Sequence, residues 1–447
     1  MERGNFGSKF GILVAMTGSA VGLGNLWRFP FLVGTNGGAA FILIYLLFVI
    51  FLCLPIMYSE FLIGRRAQAN AFGALNKLAP KGRWGVIGIV GVIGATTILS
   101  FYSVVGGWTV DYMCKAITFS FNTTDANELN NLFTESVSST VEPVVYMLIF
   151  LLLTGVIVMA GVEKGIEKYA KIMMPVLFIM VVLIAIRSVT LPNSAEGLKF
   201  LFYPDFSQVT SKTILAALGQ SFFSLSLGMC CILTYGSYVK KSENIISLSA
   251  STALADTLFA IIAGMAIMPA VFSFGISPSE GAGLVFVTLP RVFAQMSFGG
   301  VIAILFFVSL FLAAITSSIS VLEIIVAFFV EELKFKRTKA VIVSLSGITV
   351  LSLLCCLSQG VLSDIKLFGL NFFDLFDKLS SDYLMTIGGL LIVIFVGWRM
   401  KRSDVMDELT SGNTLKIKKW FLNVTYFTIR FVAPVVILIV MLGSIFG

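Results

Sequence analysis

The residues best placed for chemistry are those that interrupt long apolar runs. Gly18, Gly22, Gly24, Asn25, Arg28 and Pro30 fall within thirteen consecutive positions of the first such run. Three glycines and a proline oppose a continuous helix, through backbone entropy and a missing N–H. Where a helix opens inside a membrane, freed carbonyls can hold a cation and freed N–H groups an anion. An arginine at mid-span costs at least ~2.5–3.5 kcal/mol, so Arg28 should face a cavity or a partner. Small residues at this spacing equally suit a close helix-packing stripe.

A second run, from Gly219 to Met229, again mixes Gln220, Ser221, Ser224, Ser226 and Gly228 with Phe222 and Phe223. Further along, Ala313-Ala314-Ile315-Thr316-Ser317-Ser318 forms a polar cluster that serves either ion ligation or interhelical hydrogen bonding. Asp256, in the stretch Ser251 to Thr257, is taken as the one acid deep in a span near these sites. It either binds a cation or is neutralised by a proton or a polar neighbour. There is no histidine, which removes imidazole metal sites, His-based triads and His proton relays. No nucleophile–base pair or metal-ligand cluster stands out, so an enzyme is not expected. Cys53, Cys230, Cys231, Cys355 and Cys356 lie in apolar runs and Cys114 near a segment end, as small buried hydrophobes do.

The elements that must carry these residues are membrane helices. Hydrophobic residues make up 57% of the 447 and charged residues 12%, too few to coat a soluble chain. Apolar runs and breakers give eleven spans, near 10–36, 39–64, 84–113, 143–160, 166–186, 213–235, 245–272, 299–330, 340–357, 380–398 and 421–445. The first run is long, dotted with polar residues and reaches Arg28, so it reads as a working helix and not a cleaved leader. With the N-terminus cytoplasmic, 22 of the 31 Lys and Arg residues fall inside, 7 outside and 2 (Arg28 and Arg430) within spans. That alternation predicts a multi-pass inner-membrane protein with a cytoplasmic N-terminus and an extracytoplasmic C-terminus. The net charge of +7 then faces anionic lipid and calls for no nucleic-acid partner. Segments 1 and 6 occupy corresponding places if the chain is two five-helix halves plus one helix. Paired, polar-interrupted spans of this kind point to an inverted-repeat transporter.

The run from Gly18 to Pro30, together with that from Gly219 to Met229, resembles the signature helices of the neurotransmitter:sodium symporters, their bacterial amino-acid members especially. The resemblance extends from Arg3 to about Trp398, and the twelfth helix common in the family is absent, as in some bacterial members. It implies an all-α polytopic fold, 5+5 inverted repeats with broken helices 1 and 6, and one extra helix. The single transmembrane domain 1–447 would divide into repeats at 1–186 and 213–398 and an extra helix at 399–447. It further implies two sodium sites. The first would use the Ala20 carbonyl, Asn25, Ser224, a helix 7 side chain and the substrate carboxylate. The second would use the carbonyls of Gly18, Val21 and Ala313 with the hydroxyls of Thr316 and Ser317. The substrate carboxylate would meet the Leu23 and Gly24 N–H groups and the Tyr102 hydroxyl. Its ammonium would meet the Ala20 and Phe223 carbonyls and the Ser226 hydroxyl. Ile98, Tyr102, Phe223, Met229, Ser317 and Val321 would form the walls. A pocket this apolar, with no charge carried over, suits neutral L-amino acids with large side chains such as tyrosine, tryptophan, phenylalanine, leucine and methionine. Met229 is compatible with a flexible wall or with plain core.

The resemblance also implies an outer gate of Arg28 and Asp377, and an inner gate of Arg3 and Glu331 beside Tyr238. Phe6 stands where the family usually shows Trp. Gly165 and Pro175 match a family motif that admits water to the second sodium, and a simple kink explains them equally. At the helix 7 ligand position the family has an amide, and here the register allows Ala255 or Asp256, of which only the acid can ligate. Two sodium ions and a zwitterion leave +2 in a closed site, and a fixed carboxylate halves it without an external anion. The expectation is sodium symport of a neutral amino acid without chloride, with Asp256 at the first sodium and able to take a proton on the empty return. A proton-coupled permease of the same architecture is the alternative.

Overall fold

In the computed structural model, residues 6–121, 123–276 and 284–446 are described. They form an all-helical protein with no sheet among the described residues beyond a single bridge at Leu367 and Leu370. The long helices are α2 (Ala39–Ala67), α3 (Val86–Ile117), α4 (Glu142–Met159), α5 (Val162–Val189) and α7 (Ile245–Ser273). They continue with α8 (Gly299–Glu331), α9 (Arg337–Leu357), α10 (Phe372–Arg399) and α11 (Lys419–Gly443). Among the described residues these nine are long and apolar enough to cross a membrane. A tenth span, α1, is the bent pair Lys9–Ala20 and Gly24–Thr35, whose halves meet at 49°. The two halves of α6, Ser211–Ser224 and Cys231–Gly236, flank the second expected break.

Local chemistry explains where the helices begin. Ser8 caps α1 by accepting from the Gly11 N–H, and Asn244 caps α7 by accepting from Ser247. Thr210 and Thr213 form a reciprocal capping box at the start of α6. The expected Gly165–Pro175 weakness leaves α5 unbroken, with a wide π turn over Val162–Glu167 and Pro175 inside the helix. The tenth segment begins at Phe372, ahead of the expected 380, so Asp377 lies on the helix. Composition alone also missed the connecting helices Ala71–Leu78, Ala126–Ser138, Ser194–Phe202 and Arg402–Leu409, which are too short or too polar to read as spans.

The buried centre is built around α8, which packs on α1, α3, α4 and α5. Leu47, Phe51, Leu152, Ile179 and Val350 are exposed on the outside, as lipid-facing side chains are. The two breaks, by contrast, are wholly enclosed. Leu23, Asn25, Ser224 and Leu225 are all buried.

Candidate cation- and substrate-binding site

The break in α1 is held open by α3 and α8. The Leu23 N–H donates to the Tyr102 hydroxyl at 3.3 Å. Ser317 Oγ donates to the Gly18 and Ser19 carbonyls, both at 3.3 Å. Gly22 is required by this closeness, since a Cβ there would lie 2.3 Å from Ser317 Oγ. In α6 the chain passes through positive φ at Ser226 (53°), Gly228 (83°) and Cys230 (63°), which ends one half-helix and starts the next. A Cβ on Gly228 would lie 1.9 Å from the Met385 carbonyl of α10. The Ser226 hydroxyl donates to the Ser19 carbonyl at 2.9 Å, which ties the two breaks together.

One polar cluster joins α1, α2, α6 and α7. The Asp256 carboxylate, fully buried, accepts from Asn25 Nδ2 at 2.8 Å on Oδ1. Its Oδ2 accepts from Ser224 Oγ at 2.8 Å and from the Tyr45 hydroxyl at 3.2 Å. Asn25 Oδ1 in turn accepts from the Gly22 N–H at 3.1 Å. Of the two registers for helix 7, the structure sets Asp256, and not Ala255, against Asn25 and Ser224. The Asp256, Ser224 and Tyr45 oxygens converge in a water-poor interior, a chemistry suited to a small monovalent cation, while Asn25 turns its NH₂ toward Asp256 and its Oδ1 toward the Gly22 N–H. A second cluster lies between α1, α5 and α8. Thr316 Oγ1 donates to the Leu312 and Ala313 carbonyls at 3.0 and 3.1 Å, leaving its lone pairs available. Gly18, Ala170, Tyr235 and Thr316 border a small void there.

Between the clusters lies a small cavity lined by Ser19, Ala20, Gly22, Gly24, Ile98, Tyr102, Phe223, Ser224, Ser226, Met229, Ser317 and Val321. Nine of the ten expected substrate residues are in that lining. The tenth, Leu23, is outside the lining and is joined to it by the hydrogen bond from its N–H to Tyr102.

A sequence pattern described as "Sodium:neurotransmitter symporter family" matches residues 3–142 and 120–447. The chain belongs to that family. It is therefore a sodium-dependent, multi-pass membrane transporter and not an enzyme. It is 42% identical over 438 residues to the "Uncharacterized sodium-dependent transporter YhdH" of Bacillus subtilis (strain 168), covering 98% of this chain and 97% of that protein. An uncharacterized sodium-dependent transporter of Haemophilus influenzae is 36% identical over 457 residues, covering 100% and 99%. Among solved structures, that of MhsT in complex with L-phenylalanine matches with a TM-score of 0.92 and 42% identity, covering 99% of this chain and 100% of that one.

Of the symporter's two expected gates, the described residues include both members of the outer pair and only Glu331 of the inner one. Arg28 reaches Asp377 through Ser381: Arg28 Nη1 lies 3.5 Å from Ser381 Oγ, which donates to Asp377 Oδ1 at 2.9 Å. The Arg28 guanidinium sits over the Phe223 ring at 4.6 Å, so it roofs the cavity. Arg3 lies outside the described residues. Glu331 accepts from the Asn70 N–H at 2.7 Å. The Tyr238 hydroxyl donates to Glu323 at 2.7 Å, and Glu323 also takes both ends of the Arg337 guanidinium, at 3.1 and 2.5 Å. Phe6 packs edge-on against Tyr235 and Tyr238, an aromatic contact at the place where the family usually has Trp.

Two features of the symporter escaped sequence reasoning. Asp256 is not the one acid deep in a span near the breaks, because Glu60 of α2 is fully buried beside α6. Its Oε1 accepts from the Gly228 N–H at 2.7 Å and its Oε2 from the Leu233 N–H at 3.3 Å. An ionisable residue inside an apolar run is the signal that could have found it. Tyr45, an acceptor-facing hydroxyl in the same helix, carried no such signal.

Proposed function

We propose that this transporter couples sodium influx to import of a neutral L-amino acid with a hydrophobic or aromatic side chain, by alternating access and without chloride. The observation that carries the reading is the cavity at the junction of the two helix breaks, apolar in its walls and flanked by the Asp256–Asn25–Ser224 cluster. MhsT, bound to L-phenylalanine, supports the side-chain class.

The residues divide the work by chemistry. The Leu23 and Gly24 N–H groups and the Tyr102 hydroxyl receive the substrate carboxylate, Tyr102 being already within reach of Leu23. The Ala20 and Phe223 carbonyls and Ser226 receive the ammonium. Ile98, Met229 and Val321 exclude water around the side chain and offer no charge to an acidic or basic one. The first sodium takes Ala20, Asn25, Ser224, Asp256 and the substrate carboxylate, so substrate and ion complete each other's site. The second takes Gly18, Val21, Ala313, Thr316 and Ser317. Asp256 supplies the negative charge that an external chloride would otherwise bring. The Arg28–Ser381–Asp377 chain closes the outer side, while Arg3, Glu331 and Tyr238 serve the inner side. The breaks at corresponding places in 1–186 and 213–398 favour two inverted repeats, and the basic-residue asymmetry favours a cytoplasmic N-terminus.

The test is uptake of labelled phenylalanine, leucine, glutamate and lysine into proteoliposomes under gradients of sodium chloride, sodium gluconate and choline chloride. Phenylalanine or leucine should accumulate equally in both sodium salts and fail in choline. Accumulation in choline driven by a proton gradient would replace this reading with the permease. Collapse in gluconate would remove the role given to Asp256, and preference for glutamate or lysine would remove the assigned substrate class.

A further inference from the structure

At the C-terminal end of α10, that helix and α11 meet in an arrangement to which the reading above assigns no role. The Trp398 indole N–H donates to the Arg430 carbonyl at 3.0 Å, and the Tyr426 hydroxyl donates to the Gly397 carbonyl at 3.3 Å. The helices cross closely, since a Cβ on Gly397 would lie 2.8 Å from the Arg430 Cα. Two arginines then stack reciprocally across the junction. Arg430 lies 4.7 Å from the Trp398 ring centroid, and Arg402 lies 5.4 Å from that of Tyr426.

Among the described residues both cations lack a counter-charge. Among the described residues, neither Arg402 nor Arg430 forms an ion pair. The acids of the Arg402–Leu409 helix are engaged elsewhere: Asp404 with Arg66, Asp407 with Arg66 and Lys241, and Glu408 with Arg65. Among the described residues Arg402 donates once, to Asn423 Oδ1 at 2.7 Å. The Arg430 guanidinium donates to no protein acceptor among the described residues, and its Nε is buried. An arginine inside a span with no partner is costly unless something outside the protein supplies one. The surroundings identify that something. Trp398, Phe427 and Phe431 are exposed beside the pair, an aromatic belt at the end of α10 where headgroups lie.

We propose that the α10–α11 junction binds an anionic phospholipid, its phosphate between Arg402 and Arg430 and its chains along Trp398 and Phe431. A phosphodiester offers paired oxygens that match the planar donor edges of guanidinium groups, which stacking on the rings leaves free. A zwitterionic lipid brings the same phosphate with its own cation attached, and so gains less. A free phosphate would share the chemistry but would have no chains for the exposed rings.

Quenching of Trp398 tests this directly. Brominated phosphatidylglycerol and brominated phosphatidylcholine are titrated into the full chain in detergent, and the Trp398 signal is taken as the difference from a Trp398→Phe chain. Two arginine charges near the surface should give phosphatidylglycerol an advantage of about 30-fold in half-quenching concentration. Arg402→Gln with Arg430→Gln should bring the two lipids level, while inorganic phosphate in excess should leave the wild-type titration unmoved. Equal quenching by both lipids in the wild type overturns the site, and this comparison stands whether or not the double variant folds. An undiminished preference in a folded double variant overturns the assignment to these arginines. Relief of quenching by inorganic phosphate makes it a soluble-anion site and overturns the lipid.

Discussion

Glu60 offers the most direct perturbation of the α6 break. Its two carboxylate oxygens accept from Gly228 and Leu233, one N–H inside the break and one in the first turn of the second half-helix. Glu60→Ala removes both acceptors from a site closed to water, and each orphaned N–H costs about 1–3 kcal/mol. The total loss is therefore about 2–6 kcal/mol. Glu60→Gln keeps one oxygen but turns an NH₂ toward the other N–H, so it should cost about half as much. The expected order of thermal unfolding midpoints in detergent is wild type, then Gln, then Ala. Phe223, Ser226 and Met229 stand around the break, so substrate affinity should fall in the same order. A Glu60→Ala protein that melts and binds like wild type would refute the bracing role. A Gln variant weaker than Ala would refute the hydrogen-bond arithmetic.

Asp256→Asn removes a charge that at 4 Å and an effective dielectric of 20 is worth about 4 kcal/mol, partly offset by relief of burying it. Sodium half-saturation of uptake should rise roughly 10- to 100-fold, with added chloride now stimulating, and an unchanged sodium curve would contradict the assignment. Gly22→Ala puts a methyl 2.3 Å from Ser317 Oγ, so about 1–3 kcal/mol of overpacking should appear as lost substrate binding in a titration. Near-normal binding would show that the α1 break has room to spare. Arg65→Gln removes the shortest cation contact of the buried Glu408 and leaves it the longer ones to Arg66 at 3.4 Å and Lys241 at 3.8 Å, so the loss by thermal unfolding should stay below the about 3–5 kcal/mol of a fully orphaned buried charge. Arg65→Met with Glu408→Leu should recover much of that, and a double variant no better than the single would argue against the pair.

The breaks were legible because glycine, proline and polar residues are conspicuous in apolar runs, and their chemistry is local. Span ends were read to within a few residues for α4, α7 and α8 for the same reason. Asp256 was legible as an acid in a membrane, but its partner Tyr45 was not, since a tyrosine in an apolar helix looks like core. Glu60 depends on an N–H 168 residues away, a relation no window along the chain can contain. Ser381, which stands between Arg28 and Asp377, is likewise visible only once α1 and α10 are set side by side.

The clasp of α10 on the α6 break has a mechanical meaning. The Gly228 and Gly388 backbones approach so closely that a Cβ on either would strike the other helix, at 1.9 Å from the Met385 carbonyl and 1.8 Å from the Gly228 carbonyl. Glu60 of α2 pins the same stretch by accepting from the Gly228 N–H. A segment seated this firmly behaves as a fulcrum and not as a spring: its neighbours tilt about it while its own backbone keeps its shape. Ser381 rides about two turns along the same α10 lever, so any rocking of that helix is transmitted at once to the roof over the cavity.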